Sequence, residues 1–216
     1  MSPLSSPIQA LIFDYGGVIM RTESQEPRRR LAQRLGLSTE ELYRAVFDSD
    51  AIQLVELGQL TALQCGRQVL AGFGLHSEEE ISSFWREFFG GDALDTELVA
   101  HIRRWRRSHK TALLSNFSNN LHDYVHNRLG IGDCFDEIIV SAQVGLRKPD
   151  PRIYQLALER LQVRAHEAVF VDDMPINVQG ALSVGMRGIH FTTRQALLAQ
   201  LETLLGENTC STVVRQ

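Results

Sequence analysis

The sequence predicts a doubly wound, Rossmann-like α/β fold, in which an α-helical cap domain is inserted into a core built on a parallel sheet. Five short apolar runs are rich in Val, Ile, Leu or Phe with little polar alternation, which is typical of parallel strands covered on both faces. Helical periodicity separates the last four runs, and it alone fills the long gap between the first two. The runs are residues 8–13, 111–115, 137–141, 168–172 and 188–191.

The helices expected between the strands of the core support the assignment to the doubly wound α/β class. Strands that alternate with helices of this length form parallel sheets through right-handed crossovers, so we expect all five runs to lie in one sheet. The first of these helices leads the chain back from the insert into the core. The predicted helices are residues 95–108, 119–129, 151–161, 176–184 and 194–205.

Residues 19–92 differ from the rest of the chain. Apolar residues recur there at helical spacings, and no convincing strand is found. Because the block is too long for one crossover, we interpret residues 19–92 as a helical cap domain and residues 1–18 and 93–216 as the core domain. We expect Gly58 to separate two cap helices, Trp85 and Trp105 to be core residues, and residues 210–216 to be a loose tail.

Composition argues against several classes of function. The chain has 216 residues, 44% of them hydrophobic, so it can bury a sizeable core. Its formal net charge is −4, and the basic stretch at residues 103–110 has no aromatic platform, so we expect no nucleic-acid partner. Three distant cysteines and seven histidines form no zinc motif. We expect neither a signal peptide nor a membrane span, and therefore a cytoplasmic protein.

Side chains that can take part in catalysis or metal binding follow the first four apolar runs. Ligands of open α/β sheets bind outside the carboxyl ends of the strands, which makes these positions a candidate site. Taken singly, Asp14, Ser115 and Asn116 are more often helix caps and Lys148 a solvated loop lysine, whereas the Asp172–Asp173 pair is as often an acidic loop as a metal site. Together and in this order, they favour one functional site. The residues are Asp14, Ser115, Asn116, Lys148, Asp172 and Asp173.

Four motifs around these residues resemble those of the haloacid dehalogenase-like (HAD) hydrolase superfamily. They are FDYGGVI, LLSN, RKPDPRIY and VFVDDMPINV. The resemblance covers nearly the whole chain, including a helical cap after the first motif, and extends to a branch similar to sugar-1-phosphate phosphatases. It implies a Mg²⁺-dependent phosphohydrolase whose partner is a small phosphorylated metabolite.

The resemblance also implies the catalytic roles. Asp14 is expected to attack phosphorus and become an aspartyl phosphate, as carboxylates can. Ser115 and the backbone N–H of Asn116 are expected to bind phosphate oxygens. Lys148 is expected to offset the charge between the phosphate and Asp14.

A magnesium site is implied by the same motifs. Its expected ligands are the Asp14 carboxylate, the Gly16 carbonyl and Asp172, with Asp173 holding bound waters or Lys148. Asp172 can join Asp14 only if their strands are neighbours, because paired strands lie about 4.8 Å apart.

Gly16 departs from the family pattern. Phosphatases of the family usually carry a second Asp two residues after the nucleophile, which protonates the leaving group. Glycine cannot do this, so the general acid is undefined and a phosphomutase is disfavoured. Two alternatives stay open: a dehalogenase, which needs no metal and lacks the acidic pair, and a non-catalytic binding or regulatory protein.

Five polar residues of the cap are candidates to line the hinge between the two domains or the substrate pocket. For each of them, a side chain exposed to solvent is the simpler interpretation. A cap over the strand ends excludes water and admits only small substrates, so phosphoproteins are not expected. The candidates are Arg21, Glu23, Gln25, Glu56 and Gln59.

Overall fold

A five-stranded parallel sheet forms the centre of the protein, in a computed structural model that describes residues 7–206. Its strand order is β5-β4-β1-β6-β7, and all its pairings are parallel. All five predicted strands are confirmed, within two residues at each end. In chain order the strands are β1 (Ala10–Phe13), β2 (Met20–Thr22), β3 (Asp92–Leu94), β4 (Lys110–Ser115), β5 (Glu137–Val140), β6 (Ala168–Asp172) and β7 (Arg187–His190).

Five helices lie between β2 and β3 and form what we call the helical insert, Glu26–Phe88. Three of them begin at capping boxes, in which Ser38, Thr61 and Ser77 pair with the Glu or Gln three residues on. Gly58 separates α3 from α4, as predicted, and has a φ of +72°. The helices are α1 (Glu26–Arg34), α2 (Thr39–Phe47), α3 (Asp50–Glu56), α4 (Ala62–Ala71) and α5 (Glu78–Phe88).

The insert has its own apolar core. Leu31, Leu42, Leu70, Phe84 and Phe88 belong to one buried cluster whose members all come from the insert. Trp85 packs against this cluster, whereas Trp105 belongs to the core around the sheet. This separate core is consistent with a cap domain, although the domain boundaries at 18/19 and 92/93 stay predictions.

Helices cover both faces of the sheet. Leu11 and Phe13 of β1 pack in one buried cluster with α6 and α11, whereas Ala10 and Ile12 pack in another with α9 and α10. Since alternate residues of one strand are buried on opposite faces, the sheet is doubly wound, as predicted. The helices are α6 (Thr96–Trp105), α7 (Leu121–Asp123), α8 (Ser141–Val144), α9 (Pro151–Leu161), α10 (Pro175–Ser183) and α11 (Arg194–Leu205).

Two sequence-based expectations need correction. Residues 19–92 were expected to contain no strand, but β2 and the start of β3 lie there and pair antiparallel, with Arg21 opposite Ala93. Strands of three residues are too short to show a period, and their partners are about seventy residues apart. The helix expected at residues 119–129 begins later, because residues 118–120 form a turn closed by the hydrogen bond from the Ser118 hydroxyl to Asn120 Oδ1. After α7 it continues as a π-helical turn, Tyr124–Arg128.

Two further expectations concern thiols and membranes. Cys65 and Cys134 are buried free thiols, as expected, whereas Cys210 and the predicted tail at 210–216 lie outside the described residues. Within residues 7–206, no helix is long and apolar enough to cross a membrane.

Arg28 joins the insert to β2 and β3, which we call the hinge strands. Its buried guanidinium donates to both carboxylate oxygens of Asp92 at 2.8 and 2.9 Å and to the Phe88 carbonyl at 2.9 Å. It also donates to the hydroxyl groups of Thr22 and Tyr43. One side chain therefore connects α1, α2, α5, β2 and β3.

Replacing Arg28 tests this connection. Arg28→Met leaves the half-buried Asp92 carboxylate without its counter-charge, so the free energy of unfolding should fall by about 3 kcal/mol. Arg29→Met is the matched control, because Arg29 is exposed and pairs with Glu26 in the same helix. It should change the free energy of unfolding by less than ~0.5 kcal/mol. Urea unfolding followed by circular dichroism measures both, and equal losses would contradict the assigned role.

Candidate active site

Strand register brings Asp14 and Asp172 together at the carboxyl edge of the sheet. Phe13, the last residue of β1, pairs with Val171 of β6, and the Asp14 N–H donates to the Val171 carbonyl at 2.8 Å. Asp14 and Asp172 are therefore next to each other on neighbouring strands. Ser115 ends β4 on the other side of β1 and is buried.

Lys148 lies between the two carboxylates. Its Nζ is 2.7 Å from Asp14 Oδ1 and 2.6 Å from Asp172 Oδ2, and the residue is only 1% exposed. Burial alone would lower the pKa of Lys148, but the charges of the two carboxylates outweigh it and raise the pKa. The ammonium group therefore stays protonated and neutralises one of the two carboxylates.

The Asn116 side chain holds the loop that carries Lys148. The Lys148 N–H donates to Asn116 Oδ1 at 2.8 Å, and Asn116 Nδ2 donates to the Lys148 carbonyl at 3.0 Å. This two-point contact is a function that sequence reasoning did not assign to Asn116, because it depends on a loop thirty-two residues away. The expected contact of the Asn116 N–H with phosphate stays a prediction.

Asp14, Asp172 and Asp173 form an acidic cluster. One carboxylate oxygen from each lies within 4.8 Å of the other two, an arrangement that can hold a cation. Magnesium suits such a cluster, because this hard ion takes oxygen ligands and commonly one or two carboxylates. Asp172 is oriented from behind by the Met174 N–H at 2.8 Å and by Asn177 Nδ2 at 3.1 Å, two contacts that the sequence did not indicate.

The electrostatics of the cluster favour a bound cation. Burial raises the pKa of Asp14 to about 7, even though Lys148 and the Tyr15 N–H act in the opposite direction. Burial, followed by repulsion from Asp172, also raises the pKa of Asp173. Both shifts express a cost of negative charge that a divalent ion would relieve. The residues present thus fit magnesium.

The two glycines after Tyr15 differ in what they permit. Gly17 has a φ of +75°, and a Cβ there would lie 2.1 Å from Asp173 Oδ2, so the Asp173 carboxylate occupies the space that any side chain needs. No role was assigned to Gly17 from the sequence, although the two adjacent glycines of FDYGGVI indicate a backbone position that leaves no room for a side chain. Gly16 is exposed, and a Cβ built on it meets no atom within 4 Å.

The polar candidates of the cap differ in their exposure and in their ion-pair partners. Glu23 and Gln25 are exposed, and Arg21 pairs with Glu23 at 3.0 Å and with buried Asp95 at 3.3 Å. Gln59 is also exposed. Glu56 also reaches the core, where it pairs with Arg147 in the loop before Lys148.

Residues 8–185 match the haloacid dehalogenase-like hydrolases, so the chain belongs to that family and is a hydrolase. Among its relatives, the sesquiterpene phosphatase astK of Aspergillus oryzae is 27% identical over 204 residues, which cover 94% of this chain and all of that one. A phosphorylated carbohydrates phosphatase of Thermotoga maritima is 29% identical over 189 residues, or 85% of this chain and 84% of that one. Some relatives are longer, and the chain spans 10% and 37% of two of them.

Solved structures agree with the fold. A HAD family enzyme from Bacteroides thetaiotaomicron, in complex with magnesium and inorganic phosphate, superposes with a TM-score of 0.70 at 20% identity, over 88% of this chain and 98% of that one. At this identity the likeness establishes the fold alone. It is a HAD core with a helical insert at the position that the sequence predicts.

Replacing Gly17 tests whether Asp173 is held for a metal. Gly17→Ala should displace the Asp173 carboxylate and weaken Mg²⁺ binding by about 10-fold or more. Gly36→Ala is the matched control: Gly36 has a similar φ of +71° but an open Cβ position, so it carries the same backbone strain without displacing Asp173. It should lose ~1–2 kcal/mol of stability and no Mg²⁺ affinity. Calorimetric titration compares them; equal Mg²⁺ affinities would refute this role of Gly17.

Proposed function

We propose that this hydrolase is a Mg²⁺-dependent phosphatase that hydrolyses small phosphorylated metabolites through an aspartyl phosphate on Asp14. The observation that carries the proposal is the position of the Asp14 carboxylate, held between Lys148 and two further carboxylates at the strand ends. Its Oδ1 accepts from Lys148 and from the Tyr15 N–H, whereas within residues 7–206 no hydrogen bond to Oδ2 is found. We assign nucleophilic attack to the Asp14 carboxylate.

The chemistry has two steps. First an Asp14 oxygen attacks phosphorus and the bond from phosphorus to the ester oxygen breaks. The leaving group departs as an alkoxide or aryloxide, which then takes a proton from water. Water then attacks the aspartyl phosphate, which releases inorganic phosphate and restores Asp14. Throughout both steps, the Lys148 ammonium balances negative charge. The Ser115 hydroxyl and the Asn116 N–H are assigned to phosphate oxygens.

Magnesium would be held by Asp14, Asp172 and the Gly16 carbonyl, with Asp173 supporting its waters. When bound, it supplies positive charge next to the phosphate. Asp172 is suited to this position because Met174 and Asn177 fix its orientation by hydrogen bonds from behind.

The substrate class follows from the insert and from the relatives. The turn after α3 lies against the core next to Lys148, which favours small substrates over folded phosphoproteins. One relative is named for phosphorylated carbohydrates and another for sesquiterpenes, so sugar phosphates and terpenyl phosphates belong in the same screen. Efficient dephosphorylation of a folded phosphoprotein would contradict this class.

The dehalogenase alternative is disfavoured by the acidic pair. A metal-independent dehalogenase has no use for three carboxylates with a mutual separation under 4.8 Å. The non-catalytic alternative rests on Gly16 and is opposed by Asp14, Lys148 and Asp172. Phosphate release from an aryl phosphate, with and without Mg²⁺, separates all three, because only a phosphatase gives metal-dependent release.

Asp14→Asn should abolish turnover. Asn is nearly isosteric but is a far weaker nucleophile, so we expect phosphate release from p-nitrophenyl phosphate to fall on the order of 10³-fold or more. The control Asp133→Asn changes an exposed pair with Arg103 and should keep full activity. Wild-type protein quenched during turnover should carry a phosphate on the Asp14 peptide in mass spectrometry. Full activity of Asp14→Asn would end the assignment.

Because Gly16 stands where the family usually has a general acid, we expect the rate of the first step to depend on the leaving group. Without a positioned acid, the departing oxygen bears its negative charge unassisted, and such an acid typically supplies about 10²–10⁴ in rate. Aryl, acyl and anomeric phosphates, sugar 1-phosphates included, should therefore react faster than alkyl phosphates, with a steep dependence on leaving-group acidity. The measurement is the first-step rate across a graded series of esters.

Gly16→Asp is the matched variant for this series. The open space at Gly16 accommodates a side chain, so the new carboxyl should accelerate alkyl phosphates by about 10²-fold and aryl phosphates little. A shallow dependence in the native protein would mean that another group already supplies the proton. The argument from Gly16 would then fail while the phosphatase proposal stood.

A further inference from the structure

A single ion pair joins the helical insert to the core domain. Both Nε and a terminal nitrogen of Arg147 contact Glu56 Oε2, at 2.9 and 2.8 Å. Glu56 is the last residue of α3, and Arg147 lies in the core loop after α8. Within residues 7–206, no other hydrogen bond or ion pair connects Glu26–Phe88 to the core beyond the hinge strands.

Burial distinguishes this contact from an ordinary surface ion pair. The side chains of Glu56 and Arg147 are 16% and 34% exposed. By comparison, Arg34 and Glu87, which pair within the insert, are 58% and 25% exposed. Burial raises the pKa of Glu56, and the charge of Arg147 opposes this rise. Each charge of the Glu56–Arg147 pair therefore depends on the other for compensation.

Close backbone packing accompanies the pair. Gly58 follows Glu56 by two residues, and a Cβ built on it would lie 2.2 Å from the carbonyl oxygen of Ala142 in α8. The turn after α3 thus lies directly on the helix that follows β5, at the carboxyl edge of the sheet. This side of the insert is in contact with the core.

The core residue of this ion pair is the direct sequence neighbour of Lys148. Arg147 precedes Lys148, whose ammonium group bridges Asp14 and Asp172 and whose backbone is held by Asn116. The loop is therefore fixed from two sides, by Asn116 within the core and by Glu56 from the insert. Moving α3 away from the core breaks the second of these attachments.

We propose that Glu56 and Arg147 are positioning residues, which hold the insert on the core and thereby keep Lys148 between the two carboxylates. The inference rests on the proposed phosphatase function. Opening of the insert, which admits substrate, separates the pair and releases one side of the Lys148 loop. Closure restores the pair, so the ammonium group is fully positioned only when the insert covers the site.

The test compares Glu56→Gln with Glu87→Gln. Glu56→Gln keeps the shape of the side chain and removes its charge, whereas Glu87→Gln does the same to the ion pair with Arg34 within the insert. Hydrogen exchange of residues 54–60 and 141–148 reports contact between insert and core independently of activity. Hydrolysis of p-nitrophenyl phosphate, with kcat and KM determined separately, reports the positioning of Lys148.

Glu56→Gln should speed exchange in both segments and lower kcat, each by about 5–30-fold, and Glu87→Gln should do neither. Arg147→Gln should reproduce the effect and serves if Glu56→Gln does not fold. Exchanging the charges, as Glu56→Arg with Arg147→Glu, should recover most of the lost kcat at unchanged KM, because the effect then comes from the ion pair and not from either residue alone.

The inference is overturned if Glu56→Gln keeps wild-type exchange or wild-type kcat, or if the charge-exchanged protein is no more active than the single variants. These outcomes are distinct from a failure of the proposed function. That failure appears in the wild-type protein itself, as the absence of Mg²⁺-dependent phosphate release.

Discussion

Lys148 is buried between Asp14 and Asp172, and the arrangement of the core depends on compensating its charge. Removing an ammonium group from water costs several kcal/mol unless opposite charges lie close to it, and the same holds for each carboxylate. Distances of 2.7 and 2.6 Å supply that compensation here. Each of the three groups is therefore acceptable in the interior only because the other two are present.

The parallel sheet meets this requirement through its order of strands. With β1 between β4 and β6, residues far apart in the chain reach the same edge, and the register places Asp14 next to Asp172. Contacts outside the strands then complete the arrangement. Asn116 holds the backbone of Lys148, and Gly17 leaves room for the carboxylate of Asp173. The excess negative charge that results is what suits the site to a divalent cation.

The helical insert has its own apolar core, and two of its attachments to the rest of the protein are polar. Arg28 fastens it to the hinge strands through Asp92, and Glu56 meets the core at Arg147. Such an arrangement separates the stability of the insert from its position over the site. The apolar core of the insert is built from its own helices alone and does not include the Glu56–Arg147 contact.

The sequence by itself determined the fold class, the strands and the residues at the strand ends, because apolar runs, helical periodicity and four motifs are local signals. The three-residue strands β2 and β3 were too short to leave such a signal. Only the tertiary structure decided how Asn116, Asn177 and Gly17 support the site, since each acts on a group brought near by folding. The pairing of Glu56 with Arg147, ninety-one residues away, was decided in the same way, because a charge in a sequence does not name its partner.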